Sequence, residues 1–394
     1  MRTALIIALV AAAAAVAAAL ALGFGGDGGD DHDRSTAVGP KQSKAHAKRA
    51  ERHDRPEQTK FTVSVSGDLL MHTPLLDRAL SNGGGDHYDF TPFFHQIEPY
   101  VAGVDVGICH QETPMGPGPP TGYPIFNTPT DLAASIARSG WDACDTASNH
   151  TLDQGTAGVE GTIKAFHHAG VEHTGSFRSE RASKKPTILD VHGLKLGFVA
   201  YTDATNGIPP PHPYSVNAYD YNDPKAGAKE VLADVRRAHR AGADAVIVQL
   251  HWGFENAGRP NGSQLAVAKR ITRSKLVTVV VGQGPHVVQP IERIHHKFVV
   301  FSEGNLVSNQ SASAGLPTET EDGLIALLRF AARGHNVHVQ KIRYVPTWVR
   351  LGDYVVLPAF AGEDPGHASE LRASYSRTVH TAGTGKRFGP ITAP

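Results

Sequence analysis

The chain has 394 residues, with 38 Lys and Arg against 38 Asp and Glu. Because these charges balance, the sequence argues against a nucleic-acid-binding protein, whose surface is usually strongly basic. Hydrophobic residues make up 40% of the chain, enough for a sizeable core, and 41 Gly and 26 Pro indicate many turns. A fibrous or wholly disordered chain is excluded.

The first 23 residues have the pattern of an export segment. Residues 4–22 are uncharged and apolar, close to the roughly 20 residues that span a bilayer. The short charged start and the small residues near the end also fit a cleaved signal peptide. A signal peptide and an uncleaved membrane anchor therefore both remain open, and in either case we expect the remainder outside the cytoplasm.

The two ends of the chain flank one large predicted domain. Residues 24–60 contain almost no large apolar side chains and predict a disordered polar linker. Residues 346–394 are rich in Gly, Pro, Ser and Thr and predict an appended C-terminal tail. The folded domain is thus expected at residues 61–345.

Within that domain, short apolar runs alternate with helical patterns. Residues 61–65 alternate apolar and polar side chains, which predicts a strand that ends at Gly67-Asp68. Two later strands are predicted at 324–330 and 337–344, and they are expected to form a hairpin around Gly334. Further strands are predicted at 105–109, 141–147, 196–201, 245–250 and 276–281. Strands that alternate with helices indicate a mixed α/β sheet.

Polar residues follow five of these strands. They are Asp68, Glu112, Asn149 with His150, His251 and His286. The carboxyl edge of an open α/β sheet is where ligands bind. Carboxylate, amide and imidazole donors suit Mn, Fe, Zn or Mg, and one or two such ions could activate water and stabilise a leaving oxygen. The pattern predicts a divalent-metal hydrolase.

Six motifs in order carry a family resemblance: GDLLMH (67–72), CHQETP (109–114), ASNHTLDQG (147–155), LHWGFE (250–255), GQGPHVVQPIE (282–292) and FSEGNLVSNQ (301–310). They resemble the CapA family, named for poly-γ-glutamate capsule synthesis, in the calcineurin-like metallophosphatase superfamily. The resemblance implies an α/β (α+β mixed) fold for residues 61–345, a four-layered sandwich of two mixed β-sheets flanked by helices. It also implies a dinuclear metal centre.

The resemblance assigns roles to individual residues. Asp68, Asn149, His251 and His286 match metal ligands, and Glu112 matches the acidic residue that would bridge two ions. His150 matches the residue that faces substrate and can act as a general acid. Asp153 completes the third motif and is expected to shape its turn.

Two departures from the superfamily pattern weaken the ligand set. Leu70 occupies the place of a first-motif His, and Pro285 occupies the place of a His in the fifth motif. A weaker or single-metal site is therefore an alternative. His72 is the nearest imidazole that could replace the first missing ligand or contact substrate.

Four further residues have open roles. Trp252 is a packing residue or a substrate platform, and Asn305 and Gln310 are polar caps or substrate contacts. His110 lies beside Glu112, but side chains alternate along an extended segment, so we expect Glu112 or Gln111 to face the metal and His110 to lie elsewhere.

Together these features predict an exported protein of the bacterial cell envelope that acts in capsule or envelope polymer biosynthesis, of the poly-γ-glutamate type. The expected activity is metal-dependent hydrolysis or transfer at an amide or phosphoester bond. The alternative is a non-catalytic assembly or polymer-binding protein on the same fold. The expected partners are an anionic envelope or capsule polymer and, if the N-terminal segment is uncleaved, the membrane.

Cys109 and Cys144 are the two cysteines of the chain. Export would place them in an oxidising compartment, where paired thiols persist, and both lie near the ends of strands expected to be neighbours. We expect a disulfide; two buried free thiols are the alternative.

Overall fold

The computed structural model describes residues 58–392. The segment predicted to be a signal peptide or membrane anchor, and all but the end of the predicted linker, lie outside the described residues. Across residues 58–392, no helix is both long enough and apolar enough to span a bilayer. The predicted end of the linker at residue 60 is two residues too late, since Thr59 and Lys60 already belong to the first strand.

Fifteen strands lie within residues 58–392. They are β1 (Thr59–Leu69), β2 (Val106–Gln111), β3 (Ala143–Asp145), β4 (Glu172–Thr174), β5 (Thr187–Val191), β6 (Leu194–Thr202), β7 (Ala245–His251), β8 (Val279–Gln283), β9 (Ile291–Ile294), β10 (Lys297–Val300), β11 (Asn305–Val307), β12 (Asp322–Arg333), β13 (Asn336–Arg350), β14 (Val355–Pro358) and β15 (Phe388–Pro390).

Nine α-helices lie within the same residues. They are α1 (Thr73–Asn82), α2 (Thr91–Phe94), α3 (Glu98–Val101), α4 (Asp131–Arg138), α5 (Gly155–Ala169), α6 (Glu180–Ser183), α7 (Pro224–Arg240), α8 (Gly262–Ile271) and α9 (Ala368–Ala382). Short 3-10 turns lie at His95–Ile97, Ala312–Ala314, Thr318–Glu321 and Pro365–His367.

The strands form two mixed sheets. The first sheet has nine strands in the order β14-β13-β12-β1-β2-β3-β4, with β11 paired to β1 and β15 paired to β13. The second has six in the order β5-β6-β7-β8-β10-β9. In each sheet a parallel set, β1 to β4 in the first and β6, β7, β8 and β10 in the second, is bordered by antiparallel strands.

The main core lies between the sheets. Phe61, Val63 and Val65 point from β1 into this core, where Phe61 stacks on Phe330 of β12 at a ring distance of 4.8 Å. Phe198 and Ile247 enter it from the second sheet. The alternation read in the sequence over 61–65 therefore buries one side of β1 between the sheets.

Helices cover both outer faces. Apolar residues of α1 to α5 form one core against the first sheet, and those of α7 and α8 form another against the second. The predicted fold class, a four-layered sandwich of two mixed sheets flanked by helices, is confirmed.

The C-terminal residues are an integral part of this fold, and the predicted tail is wrong in the part that the structure describes. Strand β13 runs on to Arg350, so the expected domain boundary at 345 falls inside a strand. Helix α9 packs on the sheet, where Arg377 pairs with Asp322 of β12 and the Tyr344 hydroxyl donates to the Gly383 carbonyl. Composition misled here because α9 buries small and polar side chains, such as Ser374 and Thr378, alongside Leu371.

A disulfide joins Cys109 of β2 to Cys144 of β3. The two residues are register partners in adjacent parallel strands, with Cα atoms 4.4 Å apart. The bridge therefore ties together two strands whose carboxyl ends carry site residues.

Candidate metal centre

The parallel strands of both sheets bring their carboxyl ends to one site. Asp68 is the second-last residue of β1, and the preceding Gly67 is needed because a Cβ there would overlap the carbonyl oxygen of Gly304 beside β11. His110 lies in β2, and His251 ends β7. His286 lies in the loop after β8.

Two groups of buried side chains could each hold a metal ion. Asp68, His110 and His251 form one, and Asp68, Glu112 and His286 form the other. Within each group, one donor atom per residue lies within 4.8 Å of the others.

Asp68 is the carboxylate that the two groups share. Its Oδ1 is 3.7 Å from His110 Nε2, and its Oδ2 is 3.1 Å from His286 Nδ1. The family resemblance implies that Glu112 bridges two ions, and that role stays a prediction. Glu112 follows β2 and lies beside His286, with its Oε1 3.8 Å from His286 Nε2.

The donor set fits a divalent cation. Asp68 Oδ1, both carboxylate oxygens of Glu112 and Asn149 Oδ1 are buried without a hydrogen-bond partner. Leaving buried polar atoms unpaired is costly, and a cluster of such oxygens facing imidazoles is what a hard or borderline metal ion would satisfy.

His110 belongs to the site, contrary to the expectation from strand alternation. Its side chain is fully buried, its Nδ1 donates to Asp145 Oδ1 at 2.8 Å, and its Nε2 lies 2.9 Å from His251 Nδ1. Residues two apart on an extended segment share a face, so His110 and Glu112 point the same way. Asp145 was also missed; it directly follows Cys144 at the end of β3 and could have been found from the strand-end rule.

His286 is held by residues of the last motif. Asn305 Oδ1 lies 3.1 Å from His286 Nδ1, and Asn305 Nδ2 donates to Gln310 Oε1 and to the Thr320 carbonyl. The backbone of His286 has φ +60°, a conformation that aims its ring at Asp68 and Glu112. Asn305 and Gln310 are thus polar supports of a candidate ligand.

Asn149 and His150 lie on the loop after β3. The Asn149 amide donates to Asn206 Oδ1 at 3.2 Å, which leaves Asn149 Oδ1 as its free oxygen. His150 Nδ1 is 2.7 Å from Asp153 Oδ2, which also accepts the Phe126 N–H. Asn206 was not identified from the sequence, although its Asn-Gly pair is a turn signal.

His72 and Trp252 occupy different surroundings. His72 packs edge-on against Phe126, whose ring also packs edge-on against His150, so His72 lies near the site without joining either metal group. Trp252 is 1% exposed, stacks on Phe301 and donates its indole N–H to the Phe301 carbonyl. Trp252 is therefore a packing residue, because a side chain so buried offers substrate no surface.

Burial and nearby carboxylates have opposite effects on the pKa values of His110 and His286. Burial alone would lower the pKa of His110, but Asp145, Asp68 and Glu112 raise it to about 9. The pKa of His286 is likewise raised by Glu112 and Asp68 against the effect of burial. Burial raises the pKa of Glu112, and burial next to His110 lowers the pKa of His251.

Glu303 is a further buried acid that sequence reasoning did not single out. It is 0% exposed, accepts from Gln283 Nε2 at 3.3 Å and has Oε1 without a partner. Burial raises its pKa well above the ordinary range. It lies in the FSEGN motif, two residues before Asn305, the first residue of β11.

Known proteins share this sequence pattern. A family model described as "Bacterial capsule synthesis protein PGA_cap" matches residues 62–310. The chain is 25% identical to the "Capsule biosynthesis protein CapA" of Bacillus anthracis over 289 residues, 72% of this chain and 66% of that protein. It is 27% identical to the "PGA biosynthesis protein CapA" of Bacillus subtilis (strain 168) over 177 residues, 42% of each chain. The matched region spans less than two thirds of either relative.

Solved structures show weaker similarity. The calcineurin-like phosphoesterase YfkN from Bacillus subtilis has a TM-score of 0.45 and 13% identity, covering 82% of this chain and 99% of that one. A phosphatase from Mycoplasma pneumoniae has a TM-score of 0.43 and 10% identity, covering 79% of this chain and 100% of that one.

Proposed function

The chain belongs to the bacterial capsule synthesis protein family, and from that premise we propose that it is a metal-dependent hydrolase or transferase. The bond attacked is an amide or a phosphoester in an anionic capsule or cell-envelope polymer. One or two divalent ions, Mn, Fe, Zn or Mg, are the proposed cofactor.

One observation carries this proposal. Three buried oxygens, Oδ1 of Asp68 and both carboxylate oxygens of Glu112, lack hydrogen-bond partners within the two groups that include the imidazoles of His110, His251 and His286. A purely structural polar cluster would pair these oxygens with donors, as the great majority of buried polar groups are paired. Their orphaned state at a sheet edge supports metal binding.

The bound ion would supply Lewis acidity and a hydroxide at neutral pH. The chain's own residues would orient the ligand side chains and transfer protons. Asp153 Oδ2 accepts from His150 Nδ1, which leaves His150 Nε2 to hold or release a proton at the leaving group. Asp145 fixes His110 with Nε2 facing Asp68, and Asn305 lies against His286 Nδ1, which leaves Nε2 to face Glu112.

The names of the relatives support the proposed polymer, and the paired cysteines support the proposed location. The names of the relatives concern capsule and PGA biosynthesis, and we propose a γ-linked polyglutamate or a similar polycarboxylate as the substrate class. The Cys109–Cys144 disulfide supports an extracytoplasmic setting, because disulfides persist mainly in oxidising compartments.

The test combines metal content with turnover. Glu112→Gln and His251→Ala are expected to lose most of the metal found by elemental analysis of wild-type protein purified without chelator, with an unchanged circular dichroism spectrum. His150→Asn is expected to keep the metal and lose hydrolysis of poly-γ-glutamate or of a model phosphoester. Full metal content in both ligand variants would refute the metal centre.

A non-catalytic polymer-binding role is the second candidate. Leu70 occupies the position of the missing imidazole. Its side chain is buried, with 2% exposed, and it has no donor atom for a metal. Metal-loaded wild-type protein that binds polymer but cleaves or transfers no bond would favour this role.

A further inference from the structure

A cavity of about 1100 Å³ lies away from the metal centre. It is bounded by the last turns of α5, by β4, by the segment before α6 and by the entry to β5. Helix α5 begins directly after the loop of Asn149 and His150, and its 15 residues extend about 20 Å. The cavity lies at the far end of this helix.

The lining is rich in cations that have no acidic partner. Lys164, Arg178 and Lys185 line the cavity from three separate segments, and Glu172 is its one carboxylate. The neighbouring Lys184 bonds Glu180, but in residues 58–392 no acid lies within 4.0 Å of the three lining cations. These three cations are exposed and therefore accessible to an external anion.

Histidines and apolar residues complete the surface. His167 and His173 also line the cavity, and burial together with Arg178 and His167 lowers the pKa of His173 to about 4. Ile163, Val171 and Phe177 are buried beneath the charged residues and supply an apolar floor.

We propose that this cavity is a second binding site, one that holds a polycarboxylate chain while the metal centre acts on it elsewhere. The cations come from three segments, which matches a chain that carries one carboxylate on each unit. An apolar floor suits the methylene groups between successive carboxylates. The choice of a γ-linked polyglutamate as this chain rests on the proposed function.

The test measures binding of fluorescently labelled poly-γ-glutamate by anisotropy, at low and at physiological ionic strength. Lys164→Glu with Lys185→Glu is expected to weaken binding about tenfold, since each reversed charge replaces an attraction by a repulsion. The matched control is Lys229→Glu with Lys269→Glu, which makes the same change of net charge on exposed positions of α7 and α8 and is expected to leave binding at the wild-type level. All four residues are exposed, and thermal unfolding verifies that each variant is folded.

Three results would overturn the inference: equal weakening in both charge-reversed pairs, no weakening in the cavity pair, or no binding by the wild type. Tighter binding of a polyphosphate through the same lysines would also overturn it, because the site would then recognise phosphate. Glu112→Gln separates the two proposals. If only Glu112→Gln lost polymer binding, the cavity inference would fail and the proposed function would stand. If metal-loaded wild-type protein bound the polymer normally but showed no turnover, the proposed function would fail and the cavity inference would stand.

Discussion

Asp145 is the residue on which the orientation of His110 depends. It accepts from His110 Nδ1 at 2.8 Å and is itself 1% exposed, so the ring presents Nε2 to Asp68 and His251. Carboxylates behind a ligating histidine typically contribute about 10- to 100-fold in metal affinity. We therefore expect Asp145→Asn to lower the affinity for Mn²⁺ or Zn²⁺, measured by calorimetry, by a factor in that range.

Asp142→Asn is the matched control. Asp142 directly precedes β3, whereas Asp145 ends it. The Asp142 carboxylate accepts a hydrogen bond from the Gly107 N–H. Its substitution is expected to leave metal affinity unchanged, and equal losses in the two variants would show that Asp145 acts on the fold and not on His110.

Asn206 reaches the site from a tight turn. Asn206 and Gly207 have φ angles of +51° and +74°, as in a type I′ turn, and the Ile208 N–H donates to the Thr205 carbonyl. Because Asn206 Oδ1 accepts from Asn149 Nδ2, it sets which atom of the Asn149 amide remains for a metal.

Asn206→Gly keeps the turn and removes this hydrogen bond. We expect metal affinity to fall roughly fivefold, for a loss of about 1 kcal/mol. Asn206→Asp, which retains an acceptor and the turn, is expected to restore most of the affinity. Failure of Asn206→Gly to change the affinity would remove Asn206 from the site.

At the scale of elements, α9 is attached to the first sheet by an ion pair between the partly exposed Arg377 and the buried Asp322. Arg377 donates to both oxygens of Asp322 at 2.7 and 2.8 Å, and Asp322 is 2% exposed. Burial raises the pKa of Asp322 to about 6 in spite of Arg377. We expect Arg377→Ala to lower the free energy of unfolding by about 2 kcal/mol, since a buried carboxylate would lose its partner. Urea denaturation measures this change.

Arg372→Ala on an exposed position of the same helix is the control and should cost less than about 0.5 kcal/mol. If both variants unfolded at the same urea concentration, α9 would not be part of the cooperative fold, and the C-terminal residues would resemble the tail predicted from composition.

At the scale of the whole molecule, the candidate metal centre draws its residues from both sheets. Asp68 and His110 belong to the first sheet, His251 ends a strand of the second, and His286 follows another. A ligand that binds only the native state stabilises it by about 2.7 kcal/mol at 100 times its dissociation constant. Removal of metal with EDTA should therefore lower Tm, measured by calorimetry.

The Tm difference between metal-loaded and EDTA-treated protein should widen from pH 6 to pH 8. Metal binding requires deprotonated ligands, so it strengthens as pH rises. Without metal, the raised pKa values of His110 and His286 stabilise the fold below their ordinary pKa, and this stabilisation is lost as pH rises toward the folded values. The raised pKa of Glu112 acts in the same direction, because the folded state then binds more protons than the unfolded chain. A difference that narrowed with pH would contradict this ligand set.

The sequence by itself determined the alternation that buries Phe61 and Val63, the hairpin of β12 and β13 around Gly334, and the polar residues at strand ends. These are local properties, since periodicity and turn chemistry act over a few neighbouring residues. Only the tertiary structure decided that Asp68 is shared between two groups, that His110 belongs to one of them with Asp145 bound to its ring, and that α9 belongs to the domain. Each of these depends on strand order and register, which bring together residues such as His110 and His251 that lie 141 positions apart. No local sequence pattern indicates that residues so far apart in the chain are neighbours in the folded protein.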